Sequence, residues 1–151
     1  MTVFRACAAV AAFSAATALF ADGNFSWKGE GGGLLVNQCV HNIDIMQWIV
    51  GMPKKVVGHC CYGRFHNIEV EDDITAYFEY ENGATATFIS TTGEAPGTNR
   101  MEISGDKGKI VIEEGKLKWW KLKTPEREFC FTAKEGFGNN KSIFASKSAN
   151  I

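Results

Sequence analysis

The segment GGGLLVNQCVHNIDIMQWIVG, Gly31–Gly51, joins three consecutive glycines to an apolar run with helical spacing. Its apolar residues recur every three or four positions, and Gly51-Met52-Pro53 ends the pattern. One helix is therefore predicted from residue 34 to residue 50. Polar side chains also recur at helical spacing along one stripe of this helix, which is unusual for an apolar element. The stripe consists of Asn37, His41 and Asp44, followed by Trp48.

After this helix the apolar periodicity changes from helical spacing to alternation. Strands are predicted at Val56–Arg64, Ile74–Tyr80, Ala84–Thr91, Arg100–Ser104, Lys109–Glu113, Lys116–Lys123 and Glu128–Thr132. Asn82-Gly83 between two alternating runs is typical of a β-hairpin. The other connections are short, which suits antiparallel neighbours. The sequence thus predicts an α+β domain: an open, predominantly antiparallel β-sheet with the helix packed on one face.

Several predicted strands carry large side chains on both of their alternating faces. Tyr77 precedes Phe78, and Trp119 precedes Trp120. A sheet covered by a helix on one face only would leave half of these side chains in water. We therefore expect the second face to be buried in a homo-oligomer formed through the β-sheet.

The overall composition is that of one soluble globular domain. The chain has 151 residues, of which 45% are hydrophobic and 22% charged. Its net charge of −1 gives no electrostatic argument for nucleic acid or an anionic membrane, and neither partner is predicted. The five cysteines form no C-x-x-C pair, so free thiols in the cytoplasm are expected and a zinc site is not.

Residues 1–26 differ in character from the rest of the chain. A short segment with one positive charge, Met1–Arg5, precedes an uncharged, alanine-rich run, and Ala16-Thr17-Ala18 fits a small-x-small cleavage site. Three interpretations stay open: a secretory signal that would export the protein, foreign sequence from a wrong start or shifted frame, and an alanine-rich helix of the fold. The run is too short and too weakly hydrophobic to predict a transmembrane helix.

Three blocks of the sequence resemble a known family. They are WKGEGGGLLVNQCVHNIDIMQWIVG, HNIEVEDDITAYFEYENGATATF and NRMEISGDKGKIVIEEGKL. In this order they are similar to the C-terminal domain of the Gfo/Idh/MocA oxidoreductases, the family of glucose–fructose oxidoreductase and inositol dehydrogenase. The resemblance covers residues 27–138, and the glycine-rich helix with its histidine is its most specific part. Residues 139–151 are polar and are predicted to be an irregular tail of a truncated domain.

The resemblance implies the substrate domain of a two-domain enzyme that oxidises or reduces sugars, cyclitols or related polyols and ketones. The family's Rossmann domain binds NAD or NADP and carries a catalytic lysine in a Glu-Lys-Pro motif, which this sequence lacks. Gly29-Glu30-Gly31 begins a G-x-G, but Leu34 stands at the third glycine and no strand is predicted before it. We expect no cofactor site in this chain. A non-catalytic oligomerisation or sugar-binding module, or an inactive gene fragment, is the alternative.

The resemblance also implies roles on the polar stripe. His41 matches the histidine that takes the proton of the substrate hydroxyl while hydride leaves for nicotinamide; the alternative is a satisfied core histidine. Asn37 stands where many members have aspartate, so it would orient substrate without ionising, or it bonds to backbone. Asp44 would contact His41 and not the substrate.

The residues before the stripe are candidates for substrate binding. Gly32 and Gly33 allow backbone to approach a ligand and leave N–H groups free at a helix start; a flexible turn is the alternative. Trp27 and Lys28 would contact substrate, or else be a packed aromatic and a solvated lysine.

No metal site is predicted from the sequence. An acidic run near a histidine offers the right ligand types, but such a run before a strand is typical of a solvated edge. The residues concerned are His66, Glu69, Glu71, Asp72 and Asp73.

Overall fold

The computed structural model of the protein describes residues 7–14, 26–133 and 144–147. In chain order the elements are β1 (Cys7–Ser14), α1 (Trp27–Glu30), α2 (Leu34–Asn37), α3 (Val40–Val50), β2 (Lys55–Tyr62), β3 (Glu71–Glu79), β4 (Thr85–Thr91), β5 (Asn99–Gly105), β6 (Gly108–Glu113), β7 (Lys116–Leu122), α4 (Glu126–Thr132) and β8 (Phe144–Lys147). The strands form one sheet in the order β2-β3-β4-β1-β5-β6-β7-β8. Of its pairs, β1 with β4 is parallel and the others are antiparallel. The predicted open, predominantly antiparallel α+β fold is confirmed.

The core lies between the α2–α3 segment and the face of β3 and β4 beneath it. Leu34 and Cys39 are fully buried in one cluster with Ile74, Ala76 and Phe88. The second cluster consists of Met46, Tyr80, Ala84 and Ala86. Burial of each large apolar side chain stabilises the fold by ~1.5–3 kcal/mol. These contacts confirm the helical layer on one face of the sheet.

The single helix predicted from residue 34 to residue 50 is wrong in one respect, because it is interrupted between α2 and α3. The N–H groups of Gln38 and Cys39 both donate to the carbonyl of Leu34, at 3.0 Å each. The bond from Cys39 spans five residues, as in a π-bulge. The widened turn brings Cys39 against the sheet, where its Sγ lies 3.1 Å from Ser90 Oγ.

Six of the seven predicted strands are present, with ends within three residues of the expected positions. The predicted strand Glu128–Thr132 is wrong, since these residues belong to helix α4. The start of α4 is fixed by Asp106, whose carbonyl accepts from the Glu126 N–H (2.7 Å) and whose Oδ1 accepts from the Arg127 N–H (3.2 Å). Glu126 and Glu128 in the first turn favour this helix end electrostatically.

Strands also occur in both terminal regions. Cys7–Ser14 lies between β4 and β5 in the sheet, so the alanine-rich helix considered for this segment is wrong for these residues. The other interpretations of residues 1–26 stay predictions. In the predicted irregular tail, Phe144–Lys147 forms a strand paired with β7, and the remaining residues from 139 to 151 lie outside the described residues. Within the described ranges no helix is long and apolar enough to span a membrane.

A shortened chain tests whether β1 belongs to the stable fold. A chain that starts at Ser26 lacks the strand joining β4 to β5, so its melting temperature in circular dichroism should fall by more than about 10 °C, at ~2–4 °C per kcal/mol for a domain of this size. Removal of residues 148–151, which takes away no described strand, is the control. Equal melting of all three chains would show that residues 1–25 are a dispensable leader.

Candidate functional site

The glycine-rich loop Gly31–Gly33 follows a short capped helix. Ser26 caps α1, because its Oγ accepts from the Gly29 N–H at 3.1 Å. Gly31 ends α1 in the left-handed conformation, with φ 73° and its N–H bonded to the Trp27 carbonyl at 3.1 Å. A glycine suits this conformation because it has no Cβ to clash.

A buried carboxylate on β3 holds the loop to the sheet. Glu71 is 5% exposed, and its Oε2 accepts from the Gly33 N–H (3.0 Å) while its Oε1 accepts from the Leu35 N–H (3.2 Å). A Cβ on Gly33 would lie 2.3 Å from the Glu71 carbonyl oxygen, so this approach requires glycine. The expectation that the Gly33 N–H is free for substrate is wrong, since Glu71 occupies it.

The amide of Asn37 also bonds to the loop. Its Nδ2 donates to the carbonyls of Gly32 (2.9 Å) and Gly33 (3.2 Å). Both amide hydrogens are then used within the chain, and Oδ1 makes no hydrogen bond in the described part of the chain. Any contact from Asn37 to a hydroxyl group would therefore be through Oδ1 as the acceptor.

His41 lies on α3 and is exposed, as is Asp44. Among the residues of the described ranges, His41 has no hydrogen-bond or ion-pair partner, Asp44 included. The core-histidine alternative is therefore wrong, and the expected contact from Asp44 to His41 is not made. The imidazole stands available to solvent or to a ligand. Its role in catalysis stays a prediction.

Trp27 and Lys28 lie on α1, immediately before the loop, and both are exposed. The Trp27 ring lies 6.2 Å from the ring of Tyr62, centroid to centroid. Tyr62 was not predicted as a site residue. It ends β2 and is the register partner of Glu71, and a lone exposed aromatic at a strand end carries no periodic signal.

A second buried carboxylate lies next to Glu71 in sequence. Asp72 is fully buried, and its side chain accepts from the N–H groups of Arg64 (3.0 Å), Phe65 (2.7 Å) and His66 (3.2 Å). Thr92 Oγ1 lies 3.0 Å from His66 Nδ1. The prediction of a solvated acidic edge is wrong for Glu71 and Asp72, because backbone N–H groups replace the water that each carboxylate loses.

Cys39, Cys60, Cys61 and Cys130 are free thiols. Burial raises the pKa of Cys39, its hydrogen bond with Ser90 acts in the opposite direction, and the nearby Glu71 carboxylate adds to the increase. Burial, with Glu71 and Cys61 as further causes, also raises the pKa of Cys60. Both thiols are therefore protonated at neutral pH. No cluster of His, Cys, Asp and Glu side chains suited to a metal ion occurs in the described part of the chain.

The described residues also do not fit a nicotinamide dinucleotide. Such a site needs a strand, a glycine-rich turn and a helix that starts at the pyrophosphate. Gly29-Glu30-Gly31 instead lies at the end of a four-residue helix, and the Gly31 N–H is bonded to Trp27. Within the described residues nothing else has the required strand–turn–helix form.

Comparison with known proteins decides the family. Residues 6–111 match the sequence model of the GFO/IDH/MocA C-terminal domain. The chain belongs to the GFO/IDH/MocA family. The match confirms the resemblance found in the sequence, and it begins before β1. Comparison with curated proteins gives no match.

Solved structures share the fold of this GFO/IDH/MocA domain. WlbA dehydrogenase from Chromobacterium violaceum, in complex with NADH and UDP-GlcNAcA, has a TM-score of 0.67 at 21% identity over 83% of this chain and 39% of its own. WlbA from Bordetella pertussis, with the same ligands, has 0.64 at 22% over 74% and 35%. Levoglucosan dehydrogenase with NADH and levoglucosan has 0.66 at 20% over 78% and 36%. The matched region is thus little more than a third of the length of these dehydrogenases.

The contribution of the Glu71 hydrogen bonds to stability can be measured by substitution. Glu71→Gln should lower the free energy of unfolding by about 2 kcal/mol in urea denaturation, because the two backbone N–H groups lose a charged acceptor and one meets an amide N–H₂ instead. Glu69→Gln makes the same chemical change two residues away at an exposed position and should stay within about 0.5 kcal/mol of the unaltered chain. Equal effects of the two substitutions would contradict a clamp by Glu71.

Proposed function

We propose that this chain is the substrate-binding domain of an NAD- or NADP-dependent oxidoreductase that acts on a sugar, a cyclitol or a related polyol or ketone. The observation that carries the proposal is the exposed His41, on a helix that follows the clamped glycine loop of a GFO/IDH/MocA domain. Structural relatives bind NADH together with UDP-GlcNAcA or levoglucosan, which supports a carbohydrate-like substrate. The cofactor would be held by a Rossmann domain that is not among the described residues, and it would supply the hydride chemistry.

This chain's own part of the reaction is binding and proton transfer. The exposed imidazole of His41 would accept the proton of the substrate hydroxyl during oxidation and return it during reduction. A positioned acid–base group of this kind contributes ~10²–10⁴-fold in rate. Asn37 Oδ1 would accept a hydrogen bond from a neighbouring hydroxyl, while its Nδ2 keeps the loop carbonyls in place. Trp27 and Lys28 are exposed and would contact the bound molecule, whereas Gly32 and Gly33 are buried and would hold Asn37 in place through their carbonyls.

A fusion of the full chain to the Rossmann domain of a family member tests this proposal. His41→Ala should lower kcat for polyol oxidation by roughly two to four orders of magnitude, because the hydroxyl proton has no acceptor. The melting temperature should stay nearly unchanged, since an exposed side chain contributes little to packing. His59→Ala, which removes an exposed histidine from β2, should leave kcat unaltered. Full activity without His41, or an inactive fusion of native fold, would count against the proposed function.

We further propose that the domain forms a homo-oligomer through the sheet face opposite α3. Tyr77 and Ile89 lie on this outer face and are 41% and 38% exposed. Val57, the register partner of Tyr77 on β2, is 56% exposed. A patch of large apolar side chains on a regular sheet is the kind of surface that a second sheet covers. The same patch supports the alternative function, a non-catalytic assembly module.

The oligomer proposal predicts a concentration-dependent mass in sedimentation equilibrium. Tyr77→Lys places a charge in the middle of the patch and should weaken self-association by at least about tenfold, as expected for a charge that must be desolvated. Gln47→Lys, which adds the same charge at an exposed position of α3 on the other side of the sheet, serves as the control. A monomer at all concentrations would contradict the proposal.

A further inference from the structure

Two aromatic side chains beside the glycine loop stay open to solvent. Trp27 is 52% exposed and Tyr62 is 57% exposed. Their ring centroids are 6.2 Å apart and their planes are inclined by 48°. The two rings are therefore neighbours, and about half of the surface of each residue stays open to solvent. This pair is called the aromatic platform below.

Both residues of the platform lie next to backbone that is bonded to the glycine loop or to Glu71. Tyr62 pairs with Glu71 in the β2–β3 register, and the Glu71 carboxylate bonds to Gly33 and Leu35. Trp27 lies on the helix that ends at Gly31, and its carbonyl accepts the Gly31 N–H. The sheet and the loop thus fix the backbone at both ends of the platform, so the rings are presented by rigid elements and not by a mobile loop.

The chemistry of the platform indicates what it binds. An aromatic face is electron-rich and attracts C–H bonds, and it gains from covering apolar surface. A pyranose or cyclitol ring with equatorial hydroxyls presents such a surface, because its axial C–H bonds form an apolar face. Its hydroxyls stay at the rim, within the reach of acceptors. An open-chain polyol with the same hydroxyls has no fixed apolar face.

We propose that Trp27 and Tyr62 form a stacking site for the apolar face of a six-membered sugar or cyclitol ring. This inference deepens the proposed function and rests on it: it narrows the substrate class to cyclic polyols, and it adds Tyr62 to the binding residues. In the bound state the apolar face of the ring covers the platform and its hydroxyls stay at the rim.

The full chain can be tested by NMR titration of its tryptophan indole N–H signals. The chain has four tryptophans, and each signal is assigned from a Trp→Phe substitution. Scyllo-inositol, with all hydroxyls equatorial, should shift the Trp27 signal in a saturable manner, and the signal of Trp48, which is 86% exposed, should not move. Sorbitol, an open-chain hexitol, should bind at least about threefold more weakly.

Matched variants separate stacking from a general effect of exposed aromatics. Trp27→Ala and Tyr62→Ala should each weaken scyllo-inositol binding by about three- to tenfold. Tyr62→Phe keeps the ring and should bind as the unaltered chain does. Trp48→Ala removes an equally large exposed aromatic and should have no effect. For the alanine variants, ligand-observed saturation transfer replaces any lost indole signal.

Each result decides the proposal. Scyllo-inositol binding that is unchanged by Tyr62→Ala and Trp27→Ala would overturn the platform, and so would equal binding of sorbitol or no binding by the unaltered chain. The proposed function has its own readout in the His41 fusion. If the fusion is active but Tyr62→Ala does not change scyllo-inositol binding, the platform alone is wrong. If binding depends on Trp27 and Tyr62 but the fusion is inactive, the oxidoreductase function alone is wrong.

Discussion

The site depends on the two hydrogen bonds that the buried Glu71 carboxylate accepts from the end of the glycine loop and the start of α2. A carboxylate buried at 5% exposure needs donors, and a helix start has N–H groups without partners. Gly33 and Leu35 meet both needs at once. Because Gly33 has no side chain, its backbone can lie directly against Glu71. This contact sets the position of α2 and therefore that of His41 on the following helix α3.

Asp72 repeats this solution for a second loop. The β2–β3 ladder is irregular here, since Cys61 pairs with Asp73 and Tyr62 with Glu71, and the two neighbouring carboxylates reach different segments. Glu71 holds the segment before α2, and Asp72 gathers the N–H groups of residues 64–66. Two consecutive residues of β3 therefore fix two loops at one end of the sheet. A rigid scaffold that presents loops is the usual arrangement for binding ligands.

The fold was largely predictable because its central signals are local. Alternation located β3 and β4, and Asn82-Gly83 located their turn, in which Asn82 Oδ1 accepts the Ala84 N–H. The alternating Phe129 and Phe131 favoured a strand where Asp106, distant in sequence, starts a helix. Burial of Glu71 and Asp72 could not be read from the sequence, since charge predicts exposure unless the donors are known. For the site, the polar stripe that includes His41 followed from helical spacing, whereas Tyr62 required the register of β2 with β3.

The place of β1 in the sheet has a consequence for how the chain reaches its native state. This strand precedes the other described strands along the chain, but both of its neighbours, β4 and β5, lie in the second half of the sequence. The β2–β3–β4 and β5–β6–β7 meanders consist of nearby segments and form without long loop closure, whereas β1 must wait for both. Until then both edges of β1 and one edge each of β4 and β5 stay unpaired, and unpaired strand edges are where chains associate wrongly. Closure of the sheet is thus a non-local step that can follow only after β5 has been synthesised.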